Sequence, residues 1–210
     1  MALTTKKMSE LPIYAISIRP VRLRAFTDRV RPLEFTIVDG VNGEKLSHRL
    51  MEEDRIYKAL PYLTLSRGTI GCYLSHRSVW EKISTGPDDY ALILEDDADF
   101  AASQVTAVQQ AVEDISQFDR LWTVIILGQQ RKLAARNSKA PKGYYVPAQC
   151  SGLHIYLVSK RGAAQLLTGA LPIHDPVDTY VTSVPLKGRY ASVKDLCGTL
   201  NFGSDVDNIC

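Results

Sequence analysis

The run Tyr90-Ala91-Leu92-Ile93-Leu94 passes without a break into Glu95-Asp96-Asp97-Ala98-Asp99, and this junction constrains the fold more than any other stretch of the chain. A continuous apolar run leaves no polar face, so a strand made of it must be covered on both sides, as the inner strands of a parallel sheet are. Ahead of it, Gly86-Pro87 stops a helix that the spacing predicts over 69–84. Ile70, Leu74 and Trp80 form one apolar row of that helix, and Cys72, Val79 and Ile83 another. Carboxylates placed directly after a buried strand stand at the carboxyl end of the sheet, where open α/β folds bind their ligands.

The remaining chain alternates in the same way. Apolar runs predict strands over 12–18, 34–38, 122–127 and 153–158, and helical patterns cover 21–30, 103–118 and 160–167. Asp39-Gly40 and Asn42-Gly43 carry turn chemistry, and a polar connection with helical character follows through residue 59. Residues 129–149 are polar, basic and poor in apolar side chains, and they read as a long surface loop. Strands alternating with helices predict an α/β fold with a mostly parallel sheet. A length of 210 residues suits one domain, taken here as 13–190 with an N-terminal tail over 1–12 and a C-terminal tail over 191–210.

Composition narrows the function classes. With 45% hydrophobic and 23% charged residues, the chain is not disordered, collagen-like or coiled-coil. No apolar run approaches the ~18–20 residues of a membrane span, and residues 1–10 show no apolar core of a secretory signal. A cytoplasmic location is therefore expected. Cys72, Cys150, Cys197 and Cys210 show no C-x-x-C spacing, which favours reduced thiols over a disulfide framework or a zinc knuckle.

The net charge of +2 hides a segregation. Residues 83–119 hold nine acids and no Lys or Arg, while residues 120–174 hold eight bases and no acid. In an extended segment Glu95, Asp97 and Asp99 would share one face, with Asp96 on the other. Converging carboxylates repel one another unless a proton or a cation neutralises them, and a hard ion such as Mn²⁺ or Mg²⁺ prefers such oxygen ligands. The competing reading is a solvated acidic loop with Asp99 capping a helix that starts near Ala101–Ser103. The basic loop (Arg131, Lys132, Arg136, Lys139, Lys142) has three readings: a lid over a diphosphate or acceptor, a peripheral membrane contact with anionic lipid, or a solvated loop. It lacks the interleaved aromatics of a nucleic-acid groove, and no nucleic-acid partner is expected.

Ile70-Gly71-Cys72-Tyr73-Leu74-Ser75-His76, then Trp80, then Ala91-Leu92-Ile93-Leu94-Glu95-Asp96-Asp97 resemble the paired central motifs of glycosyltransferase family 25. That group holds the lipooligosaccharide-type sugar transferases and the collagen galactosyltransferases. Ile13 to Arg24, Val38-Asp39-Gly40, the segment from His154 to Ser159 with Arg161-Gly162-Ala163, and Pro172-Ile173 with Pro176-Val177-Asp178 extend the resemblance over roughly 13–180. It implies a single GT-A-type Rossmann-like domain, flanked by helices, that takes a hexose from a nucleotide-sugar donor to a glycan or other hydroxyl acceptor. Galactose or glucose is the implied sugar.

On that resemblance, Asp97 becomes the principal metal ligand, with Glu95 or Asp96 on the donor ribose or a second metal position. Asp99 and His174 are further candidate ligands, and Ser17, Arg19, Asp39, Ser75 and His76 are candidate donor contacts. An inverting transfer needs a general base near the acceptor hydroxyl. Asp178 is the leading candidate, with His174 and Asp175 competing. For His76 the alternative is a satisfied core histidine, and for Ser75 a brace bonded to backbone. Two other functions remain open on the sequence: a Mg²⁺-dependent phosphoryl or nucleotidyl transferase using the same acidic run, and an inactive transferase fold kept as a sugar- or protein-binding module.

Overall fold

The computed structural model describes residues 11–47, 56, 65–135 and 138–200. Residues 1–10 and 201–210 of the two expected tails, most of the polar connection before residue 65, and Arg136 of the basic loop lie outside the described residues.

β1 (Ile13–Ser17) leads into α1 (Pro20–Val30), β2 (Thr36–Asp39) and a 3₁₀ turn over Gly43–Lys45. Then come α2 (Arg67–Thr85), β3 (Tyr90–Glu95), α3 (Val105–Phe118) and β4 (Val124–Gly128). β5 (Arg131–Ala135), β6 (Tyr144–Tyr145), β7 (Pro147–Ser151) and β8 (Ile155–Ser159) follow, and α4 (Lys160–Thr168), α5 (Val177–Ser183) and β9 (Arg189–Ser192) complete the order. The main sheet has seven strands in the order β2-β1-β3-β8-β4-β9-β6. Five of them run the same way, and β8 and β6 run against them. The sheet is thus mostly parallel, as expected, with one antiparallel strand at its centre.

Alternation along the inner strands sends side chains to opposite faces. Leu92 and Leu94 of β3 pack with Phe26 and Val30 of α1 and with Val108, Val112 and Ile115 of α3. Ala91 and Ile93 pack on the other face with Trp80 and Ile83 of α2, Leu166 of α4 and Val181 of α5. Full burial of a side chain of this size stabilises by roughly 1.5–3 kcal/mol, so the two apolar layers clamp β3 from both sides. No described helix is long and apolar enough to cross a membrane.

Three expectations change. The stretch 129–149 is not a structureless loop: β5 and β7 pair antiparallel in it, and β6 adds to the edge of the main sheet. These short sequences, with a Pro opening β7, lack strand periodicity, and tertiary pairing overrides that weak local signal. The buried stripe of α2 includes Tyr73, while Cys72 and Leu74 are only partly buried. Finally, the expected boundary at residue 190 falls inside β9. The chain beyond it is bonded to the domain through Leu196 N–H to Leu127 O (2.7 Å) and Leu200 N–H to Asp97 O (2.8 Å).

Candidate functional site

A cleft of about 830 Å³ opens at the carboxyl ends of β1 and β3, closed by the start of α2, the β7–β8 turn and the start of α5. Two glycines let its walls meet. A Cβ on Gly71 of α2 would stand 2.5 Å from Val41 O, and one on Gly43 would stand 1.8 Å from Arg67 O. The turn after β2 therefore seats directly on the first turns of α2, and Ser75 locks it there. Its hydroxyl donates to Gly71 O (2.7 Å) and accepts from Val41 N–H (2.8 Å).

Three neighbouring acids at the end of β3 have three different environments. Asp96 is buried: Ser17 Oγ donates to its Oδ2 at 2.5 Å, and Arg22 approaches its Oδ1 at 3.8 Å. Glu95 lies 3.0 Å through Oε1 from His76 Nε2, with Cys72 Sγ at 4.0 Å. Asp97 has a buried Oδ1 with no hydrogen-bond partner. Burial first, then the charges of Glu95 and Asp96, push its carboxyl up to about 7 against the pull of Arg22. An unpartnered oxygen in a site that resists its own negative charge is a donor suited to a hard cation. Cys72, His76 and Glu95 form a second grouping, with ligand atoms all within 4.8 Å of one another. Burial first, then Glu95, Asp178 and Asp97, push the Cys72 thiol well above its ordinary range, which keeps it protonated.

On the far wall, Asp178 sits in the first turn of α5. Its Oδ2 accepts from Gly152 N–H at 2.8 Å, and its Oδ1 from Thr179 N–H at 2.7 Å. An ionised carboxylate has about four lone-pair positions, so these two bonds anchor it and leave it capacity to accept from a ligand hydroxyl.

Of the residues singled out from sequence, Ser17, Arg19, Ser75, His76, Glu95, Asp96, Asp97 and Asp178 line the cleft. Asp39, Asp99 and His174 do not. Asp99 misses because the strand ends at Glu95. Ala98 N–H turns back to Glu95 O (3.1 Å), which breaks the alternation that would have placed Asp99 beside Asp97, and Asp99 is exposed. Asp39 stands exposed on β2, the edge strand of the sheet, opposite Ser17. His174 lies before the start of α5, outside the cleft wall. Arg22, Gln130 and Gly152 line the cleft without having been singled out. Arg22, in the first turn of α1 and three residues after its N-cap Arg19, was the one with a readable signal.

The comparisons with known proteins bear on this cleft. The family model described as "Glycosyltransferase family 25 (LPS biosynthesis protein)" matches residues 10–181. The chain belongs to glycosyltransferase family 25. Within the family it is 30% identical over 177 residues to procollagen galactosyltransferase 2 of Mus musculus, covering 78% of this chain and 28% of that one. It is 27% identical over 195 residues to inactive glycosyltransferase 25 family member 3 of Mus musculus, covering 84% of this chain and 32% of that one. The family-25 chain described here thus spans under a third of the length of either relative. Among solved structures, a 4-diphosphocytidyl-2C-methyl-D-erythritol synthase from Anaerococcus prevotii superposes with a TM-score of only 0.35 and 14% identity, over 84% of this chain and 83% of that chain.

Proposed function

We propose that this family-25 chain is an active, cation-dependent glycosyltransferase. It moves a hexose, galactose in first place, from a nucleotide sugar to a glycan or other hydroxyl acceptor, with inversion. The observation that supports this reading best is Asp97, whose inner oxygen is buried without a partner and whose carboxyl is pushed up to about 7 by burial and two neighbouring acids. Glu95 and Asp97 would hold Mn²⁺ or Mg²⁺, which supplies positive charge for a departing diphosphate. Arg19 and Arg22, on the same wall, add the cleft's own cations. Asp178 on the opposite wall takes the proton of the acceptor hydroxyl. The hydroxyl oxygen bonds to the anomeric carbon while the bond from that carbon to the diphosphate oxygen breaks.

A second reading has a specific observation behind it: one of the relatives, matched over more of this chain, is named inactive. On that reading the cleft binds a sugar without turning it over. One screen decides between the two. Purified protein is offered a panel of nucleotide sugars with Mn²⁺, and release of nucleoside diphosphate is followed. Release that requires the cation and disappears in Asp97→Asn supports transfer. Sugar binding without release supports the module, and pyrophosphate release from nucleoside triphosphates would replace both with nucleotidyl transfer.

A further inference from the structure

Behind Glu95 runs a chain of buried polar groups that cleft chemistry alone does not explain. Trp80 Nε1 lies 3.0 Å from the hydroxyl of Tyr156, that hydroxyl lies 2.7 Å from His76 Nδ1, and His76 Nε2 lies 3.0 Å from Glu95 Oε1. Trp80 and Tyr156 are fully buried, and His76 is 1% exposed. The three come from two elements, α2 and the central antiparallel strand β8.

The protons in this chain can be placed by counting donors and acceptors. An indole N–H only donates, so Trp80 takes one lone pair of the Tyr156 oxygen. The phenol has one proton, is held as a phenol chiefly by burial, and has His76 Nδ1 as its other neighbour among the described residues. If Nδ1 carried a hydrogen, the phenol proton would be buried with no acceptor, whether the imidazole were neutral or doubly protonated. In the neutral case His76 Nε2 would also turn a lone pair toward a carboxylate oxygen. Only one arrangement satisfies every group: Trp80 N–H to Tyr156 O, Tyr156 O–H to Nδ1, and Nε2–H to Glu95.

We infer that His76 is a positioning residue, fixed as its Nε2–H tautomer by the Tyr156 hydroxyl, which clamps Oε1 of Glu95 and leaves the other carboxylate oxygen for the ligand in the cleft. The close grouping of Cys72, His76 and Glu95 is then a hydrogen-bond clamp. Nε2 keeps its proton and has no lone pair for a cation, so the cation-holding oxygens are those of Glu95 and Asp97. The inference rests on the proposed function only in what the free oxygen of Glu95 meets, and not in the placement of the protons.

The test has two independent readouts on the full chain. Long-range ¹H–¹⁵N spectra report which ring nitrogen of each histidine carries hydrogen. With four histidines in the chain, the His76 signals are assigned by their loss in His76→Gln. The Nε2–H tautomer is expected, giving way to a mixture of tautomers in Tyr156→Phe, which keeps the ring and removes the hydroxyl. A Nδ1–H or doubly protonated His76, or a tautomer unmoved by Tyr156→Phe, overturns the inference. The second readout is Mn²⁺ affinity from the signal of the free ion. His76→Phe, with no donor, should weaken it by about 10–100-fold, the range for lost support behind a metal ligand. His76→Gln, whose amide places an N–H where Nε2 was, should stay within about threefold on the same scale. Equal losses in the two variants, both confirmed as folded by denaturation midpoints, overturn the clamp. A native chain that binds no Mn²⁺ overturns the cation reading of the proposed function instead, and leaves the tautomer to decide the inference.

Discussion

Residues 83–119 carry acids and no base, and residues 120–174 carry bases and no acid, yet the fold treats the two stretches very differently. From the acidic stretch, Glu95, Asp96 and Asp97 are carried to the cleft by β3, while Glu113 stays exposed on α3. From the basic stretch, Arg131, Lys132, Lys139 and Lys142 are exposed, and none of these four lines the cleft. Lys132 instead donates to Val193 O and approaches Asp195 at 3.9 Å. The cleft's cations, Arg19 and Arg22, come from α1 and the residue before it. The difference teaches that a charge is drawn into a site by the apolar element attached to it. A carboxylate at the end of a doubly covered strand is held at the cleft by that strand, whereas a long cationic side chain on a polar ribbon swings out to bulk water.

Four measurements would sharpen or break this contrast. Asp97→Asn keeps shape and removes charge, and it should lower nucleoside diphosphate release by about a thousandfold, the upper range for losing one preorganised electrostatic group. An unchanged rate would put the acidic run outside the chemistry.

The second concerns pH and the cation-free protein. In the fold, burial first and then Glu95 and Asp96 hold the Asp97 carboxyl at about 7, against 3.8 ordinarily. Between those values the folded chain keeps a proton that the unfolded chain has released. Stability should therefore fall as pH rises from about 4 to about 7, by on the order of 4 kcal/mol, and then level off. Urea midpoints across that range should show the slope in the native chain and lose most of it in Asp97→Asn. Added Mn²⁺ should recover stability at the high end.

Third, Arg22→Met removes the buried cation beside the Asp96 carboxylate and leaves the Ser17 hydrogen bond in place, and denaturant unfolding should show a loss of up to about 3 kcal/mol, the lower range for breaking a buried pair. Last and smallest, the double change Arg131→Ala with Lys132→Ala should alter transfer by no more than about twofold, since exposed substitutions are worth about 0.5 kcal/mol. A large effect would show that the basic ribbon reaches the cleft after all.

Much of the molecule was readable because its periods are clean. Tyr90–Leu94 and the α2 pattern around Trp80 announced a covered strand and the helix lying on it, and Asp97 followed from its place after that strand. Direction is not encoded in period, so nothing in Ile155–Ser159 said that β8 would run against its neighbours. Pro147-Ala148-Gln149-Cys150-Ser151 gave no strand pattern, and only its pairing with β5 makes it one. Asp99 was misplaced because a run of acids does not reveal where a strand stops and a turn begins. The bond from Ser17 to Asp96 joins residues 79 apart in sequence, and no local rule reaches that far. Tyr156 reads as one more apolar strand residue until its hydroxyl is found between Trp80 and His76.

The placement of β8 also has a consequence for how the chain is made. β3 and β4 are complete by residue 128, but they do not touch; the strand that joins them ends at Ser159. During synthesis β3 and β4 must wait, each with an open edge, until β8 emerges and slots between them, and β9 joins β4 only later. Open edges of this kind invite pairing with other chains. A product cut short ahead of residue 155 would carry both edges permanently, and is expected to aggregate rather than persist as a smaller domain.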